Sequence, residues 1–482
     1  MIGRATARAI AVAAVAVASL AGGCAHPQSL VEDRVLAEVA SRYRDFFPAE
    51  SDPDPARDAG LLRPRFGLPA IAPPRAQFLV ELLERGADLP PPRAAIVRPD
   101  VAQEAAVRCV PDGAPFDGCY PLALEQVDKR EVAPGFHRLR FIARTTLSPP
   151  DGGYDLVLQS GVDAPARAPR AVWVRARDPG APLKVAHLSD LHVGKSDDPI
   201  DEHLAQVIAD VETFAPDVVV ISGDIAHRGG NPAQAAHARD LLLALHAPIV
   251  AVLGNHDLGF GVVPNLTTRY GDGWPNFARP FHPLLFFEVA IGRYRFVGFD
   301  SGPSTVTPRV LTRGISRETV DALREVADRA RDDGVPVLFL VSHAPTRATM
   351  MESASPTSPG LVGQMHFGAR ELERVILDDA ARGQRILHLT GHTHWTEVFE
   401  SAPVDGKLQF VRWQPSRIGP CPTPVHGAAA IILAQSATRS GLTREGRGYG
   451  WDLLTVGDGD PRIFFRRFGA EPEAFACPQS TH

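Results

Sequence analysis

From Lys184 to about Gly391 the chain alternates short apolar runs with longer amphipathic stretches, and this alternation restricts the fold more than any other feature. The runs are KVAHLS, DVVVISG, PIVAVLG, YRFVGFDS, PVLFLVSH and RILHLTG. Between them lie segments of helical period around EHLAQVIADVETF and PAQAAHARDLLLAL, then from about Ser316 to Asp332 and from about Gly368 to Ala381. Short apolar runs that alternate with helices build stacked layers of sheet and helix.

Five of the runs end in a group able to bind a metal: SDLHVG, SGDIAHRG, LGNHD, VSHAP and TGHTH. Open α/β sheets gather ligands at the carboxyl ends of their strands, so these distant segments can converge. Residues i and i+2 of an extended segment face the same way, which would let Asp190 and His192 grip one ion together, and likewise His392 and His394. One such pair arises easily by chance; five blocks in series, each just after a β-like run, do not. Carboxylate, imidazole and amide oxygen without thiolate suit Mn, Fe or Zn. A carboxylate such as Asp224 can bridge two ions roughly 3.5–4 Å apart, which then stabilise the attacking and leaving oxygens of an in-line displacement at phosphorus.

On those five blocks, residues 184 to about 413 resemble the calcineurin-like metallophosphoesterase family. The resemblance implies an α/β fold of four layers, a double β-sheet sandwich flanked by helices, and a phosphomonoester or phosphodiester substrate attacked by a hydroxide bridging two metal ions. It places Asp190, His192, Asp224 and His394 on the first ion. Asp224, Asn255, His343 and His392 fall on the second, with Asp224 shared. His256 matches the family histidine that contacts the phosphoryl group or protonates the leaving oxygen; its other reading is an imidazole that only orients Asn255. Gly223, Gly254 and Gly391 allow tight turns and close backbone approach. Arg228 matches the arginine of the family's GDxxDRG pattern, where its fork suits phosphate oxygens; a surface ion pair is the alternative. His227 departs from the family: protein phosphatases have an aspartate at this place and purple acid phosphatases a metal-binding tyrosine. It reads as an extra ligand, a donor behind the ligands, or neither.

The rest of the 482-residue chain divides by texture. Arg4 and Arg8 precede an apolar stretch from Ala9 to Leu20 and then AGGC, so residues 1–23 read as an export signal. This resembles a bacterial lipoprotein signal, with Cys24 to carry the lipid; a plain secretory signal is the alternative. The expected location is the cell envelope, anchored to the membrane through Cys24. Residues 24–87 read as a helix starting at Ser29 and a Pro-rich tether or irregular wrap. Residues 88–180, with HRLRFIART, YDLVLQSG and RAVWVRAR, alternate like half-buried strands and read as a small β-sandwich-like accessory domain. Residues 181–470 read as the metallophosphoesterase domain that the resemblance implies, and 471–482 as a tail.

Cys109, Cys119, Cys421 and Cys477 remain after Cys24, an even count suited to disulfides outside the cytoplasm, with the pairing open. The net charge of −6 and the lack of a Lys/Arg cluster argue against a stable nucleic-acid partner, and nothing marks a protein partner. The competing functional reading is a non-catalytic envelope lipoprotein that binds a ligand or partner through the same scaffold.

Overall fold

A computed structural model describes residues 60–468, apart from breaks of which the longest are 259–272, 350–363 and 439–447. The expected export signal, Cys24, the helix from Ser29, Cys477 and the tail lie outside the described residues.

The first part consists of β1 (Gly60–Arg63), β2 (Ala70–Ala72), β3 (Gln77–Arg85), β4 (Arg93–Val97), α1 (Gln103–Asp112), β5 (Cys119–Ala133), β6 (Phe136–Thr145), β7 (Gly152–Gln159) and β8 (Ala166–Val174). These strands form one sheet in the order β1-β3-β6-β5-β4-β7-β8-β2. Alternate side chains of opposite halves of this sheet enter a single core: Phe78, Val80 and Leu82 of β3 meet Ile96 of β4 and Leu156 of β7. The sheet is therefore curled over itself. Ala95, Val97 and Val157 face the other way and cover α1 through Ala106, Cys109 and Val110. A disulfide between Cys109 and Cys119 ties α1 to the start of β5.

The expected tether does not extend to residue 87, because β1, β2 and β3 belong to the sheet. The prolines that suggested a linker, Pro64, Pro69, Pro73 and Pro74, stand between the strands, where a missing N–H costs no ladder bond. This tract also packs into the part of the chain that follows. Leu62, Leu68 and Leu83 join the core between its sheets, and the Phe66 ring lies 5.5 Å from that of Phe281.

The second part continues with β9 (Leu183–Leu188), α2 (Ile200–Phe214), β10 (Val218–Ser222), α3 (Pro232–Leu242), β11 (Ile249–Val252), α4 (Gly273–Ala278), β12 (Phe286–Ile291) and β13 (Tyr294–Phe299). A short hairpin, β14 (Thr305–Thr307) and β15 (Val310–Leu311), precedes α5 (Arg317–Asp332), β16 (Leu338–Val341), α6 (Ala369–Ala381) and β17 (Ile386–Thr390). The last strands are β18 (Glu397–Val404), β19 (Lys407–Arg412), β20 (Thr423–Pro424), β21 (Ala429–Leu433), β22 (Tyr449–Val456) and β23 (Arg462–Phe468).

Two sheets result, β11-β10-β9-β22-β23-β20 and β12-β13-β16-β17-β21-β18-β19. Their inner faces meet through Val185, Val220 and Val250 on one side and Phe339, Leu387 and Ile432 on the other. The outer face of the first sheet, with Leu188, Val219 and Ile221, is covered by Leu204 and Val207 of α2 and Leu242 of α3. On the second sheet, Leu338, Leu340 and Ile431 are covered by Val320 and Leu323 of α5 and Leu372 and Val375 of α6. The four expected layers are present. Helical spacing explains the cover: α2 buries Leu204, Val207, Ile208 and Val211, one stripe of a 3.6-residue period. The edge of the first sheet is closed by the tract after β1, where the Ala251 N–H of β11 donates to the Gly67 carbonyl at 2.8 Å.

Candidate metal centre

Each site residue follows a buried strand. Asp190 and His192 come after β9, Asp224 after β10, Asn255 and His256 after β11, His343 after β16, and His392 and His394 after β17. Strands β9, β10 and β11 run parallel, as do β16 and β17, so within each sheet these side chains leave at the same end.

The backbone that presents them is not extended. Asp190, His192, Asp224, His392 and His394 all have positive φ, from 48° at His192 to 73° at His392. The i, i+2 pairs therefore meet through a left-handed turn rather than the strand geometry expected from their spacing. Such conformations cost about 1–3 kcal/mol each for non-glycine residues and persist only where the surroundings enforce them. Close approach adds a second constraint: a Cβ on Gly391 would lie 1.7 Å from Ser189 Oγ, so only glycine lets the two strand ends meet.

The seven predicted ligands are brought together. Candidate ligand atoms of Asp190, His192, Asp224 and His394 lie within 4.8 Å of one another, and so do those of Asp224, His343 and His392. Asp224 belongs to both groups. Asn255 completes the second, its Oδ1 3.0 Å from His343 Nε2. His192 Nε2 is 3.1 Å from His394 Nε2, and His392 Nδ1 is 3.2 Å from His343 Nε2. Neighbouring ligands around an ion at about 2.1 Å are separated by about 3.0–3.4 Å in octahedral or tetrahedral geometry, so these gaps fit a cation held between the rings. Asp190 Oδ1 is buried 3.0 Å from His394 Nε2 and 3.8 Å from His192 Nε2, a cluster of donor atoms that suits a shared cation.

Hydrogen bonds behind the ligands set which ring nitrogen faces inward. His343 donates Nδ1–H to the Ser222 carbonyl at 2.8 Å, which turns Nε2 into the site, 3.2 Å from Asp224 Oδ2. His256 donates Nδ1–H to the His227 carbonyl at 2.8 Å, leaving its Nε2 3.9 Å from Asp224 Oδ2. Burial alone would raise the Asp224 carboxyl, but the charges of His343 and His256 and their hydrogen bonds outweigh it and hold it well below the usual carboxylate range. Asp190 is likewise lowered, with burial opposed chiefly by His394. Burial pulls His343 down, yet Asp224 overcomes this and pushes it up to about 9.

His227 stands at the edge of this cluster. Its ring lies 5.2 Å from that of His256 and 5.7 Å from that of His192. It groups with those two histidines and not with the carboxylates of either ion site. Arg228 is exposed, and its backbone N–H donates to Gln234 Oε1 at 2.7 Å. His187 and His388 are buried inside their strands, bonded to Ser222 Oγ at 2.9 Å and Ser342 Oγ at 2.8 Å. Asp257 was missed by sequence reasoning although it closes the quoted LGNHD block. It accepts from the N–H groups of Ile225, Ala226 and Gly254 and so pins the Asp224 loop to the Asn255 loop.

Residues 183–396 match the family model described as calcineurin-like phosphoesterase. A Synechococcus protein described as a probable cyclic nucleotide phosphodiesterase is 27% identical over 172 residues, which cover 34% of this chain. The match spans 58% of that relative's length. Among solved structures, purple acid phosphatase PPD1 from yellow lupin (Lupinus luteus) seeds aligns at a TM-score of 0.47 and 12% identity, over 82% of this chain and 71% of that one. A dimetal phosphatase from Danio rerio aligns at 0.38 and 13% identity, over 60% of this chain and 99% of that one.

Proposed function

Residues 183–396 are a domain of the calcineurin-like phosphoesterase family, and from that premise we propose that the chain hydrolyses phosphomonoesters or phosphodiesters at a dinuclear metal site. One observation carries the proposal: seven side chains from five strand ends form two ligand groups that share Asp224. Two ions held there, Mn, Fe or Zn by the donor set, would supply charge stabilisation for the attacking and leaving oxygens and a lowered pKa for water.

The chain's own residues divide the remaining work. Asp190, His192, Asp224 and His394 would hold one ion, and Asp224, Asn255, His343 and His392 the other. Asp224 is oriented for sharing because its Oδ1 accepts the His256 N–H at 2.8 Å while Oδ2 faces His343. His256, fixed by the His227 carbonyl, keeps Nε2 toward the centre, where it can hold or deliver a proton to a leaving oxygen. Arg228 is assigned to phosphate oxygens by its place in the motif. A binding protein that had lost catalysis would be expected to have lost ligands, and the set here is complete. The reading is tested with aryl monoester, aryl diester and nucleotide substrates under Mn, Fe or Zn; hydrolysis that survives Asp224→Asn unchanged would exclude it.

An envelope location is part of the same proposal. It is supported by the Cys109–Cys119 disulfide and by Cys421, which is also disulfide-bonded, since such bonds persist in oxidising compartments. Anchoring through Cys24 predicts that Cys24→Ser moves the protein from the membrane to the soluble fraction of fractionated cells; wild type found only in the soluble fraction would refute the anchor.

A further inference from the structure

Residues 434–438, AQSAT, lie beyond the span that matches the family and beyond the motifs that identify the site. They form a crosspiece between the two sheets. At one end the Ala434 N–H donates to the Thr390 carbonyl at 2.9 Å, just before Gly391 and His392. At the other, three consecutive carbonyls of the first ligand loop are each bonded. Ala437 N–H donates to Ser189 O at 2.9 Å. Ser436 Oγ donates to Asp190 O at 2.8 Å, and Thr438 Oγ1 to Leu191 O at 2.6 Å. Ser436 is anchored in turn, its own carbonyl accepting from the Gly450 N–H of β22 at 3.0 Å. Ser436, Ala437 and Thr438 are fully buried.

The loop they bind holds two non-glycine residues in left-handed backbone. Asp190 and His192 sit at φ of 54° and 48°. Left-handed residues revert to ordinary conformations unless neighbouring groups over-determine them. The direction of the Asp190 and Leu191 carbonyls fixes the two peptide planes on either side of Leu191. Those planes decide where the Asp190 carboxylate and the His192 ring point. A hydroxyl on each carbonyl holds both planes at once.

We propose that Ser436 and Thr438 are positioning residues of the metal centre, whose hydroxyls hold the Asp190–His192 loop in its left-handed form and so set affinity at the first ion site in preference to the second. This rests on the dinuclear reading above. The test uses the full chain, stripped of metal and titrated with Mn²⁺ by calorimetry and with Co²⁺ by visible absorption. Ser436→Ala and Thr438→Val, singly and together, should weaken the first site by about 10- to 100-fold, the usual cost of removing a group that orients a ligand. The second site should stay within about threefold of wild type. Ser436→Thr and Thr438→Ser, which keep the hydroxyls, should restore first-site affinity. Unchanged first-site affinity in both alanine and valine variants overturns the proposal. So does equal weakening of both sites, or a single variant that no longer folds without metal, since either assigns the hydroxyls to general stability. Wild type that binds no ions would remove the dinuclear reading itself, whereas two bound ions in wild type and unaltered variants would remove only the clamp.

Discussion

At the scale of single residues, the centre depends on which atom of each side chain faces inward. His256 illustrates this: its Nδ1–H is committed to the His227 carbonyl, so only Nε2 is offered to the reaction. His256→Ala should retain both ions while turnover falls by about 10²- to 10⁴-fold, the usual contribution of general acid–base help. Metal analysis beside steady-state kinetics checks this, and loss of metal would make His256 structural. The seven side chains that converge here were legible in the sequence because side-chain chemistry and a place after an apolar run are both local signals. The left-handed backbone of Asp190, His192, Asp224, His392 and His394 was not. Nothing in Asp-x-His distinguishes an extended pair from a turned one, because the turn is enforced by distant groups such as Ser436 and Thr438. Asp257 escaped for the same reason, its three N–H partners lying on two loops.

Among the elements, the clearest departure from expectation is the tract 60–87. Short strands separated by prolines carry too little periodicity to stand out, and β1, β2 and β3 are recognised only through their partners in the sheet. One of those partnerships is electrostatic. Glu81 of β3 is fully buried and meets Arg63 of β1 at 2.9 Å and Arg138 and Arg140 of β6 at 2.9 and 2.6 Å. Burial pushes the Glu81 carboxyl up, but Arg63 and Arg138 outweigh it and lower it from 4.5 to about 2. A depressed carboxyl contributes stability that is fully present above about pH 4.5 and is lost as pH falls toward about 2. Glu81→Gln should destabilise the protein at neutral pH by about 3 kcal/mol, the lower end for breaking a buried pair because Arg140 is partly exposed. It should also flatten the acid side of the stability curve. Urea unfolding from pH 3 to 7 measures both; a variant with wild-type stability and acid sensitivity would show that the cluster contributes nothing.

At the scale of the whole molecule, the described residues join a curled sheet to a four-layer α/β part through a common core, in which Leu62, Leu68 and Leu83 pack among the residues between the two layered sheets. The layered architecture was readable from the strand and helix rhythm, whereas the contact between its two parts was not, since no periodic signal marks which apolar residues of one domain face another. The overlapping ligand groups make Asp224 the point on which the functional account turns. The most direct measurement is the number of ions bound per chain, taken together with aryl phosphoester hydrolysis, for wild type and Asp224→Asn. The account predicts two ions and hydrolysis in wild type, with loss of at least one ion and of hydrolysis in the variant. A wild-type chain that binds no metal, or a variant that hydrolyses the ester as fast as wild type, would contradict it.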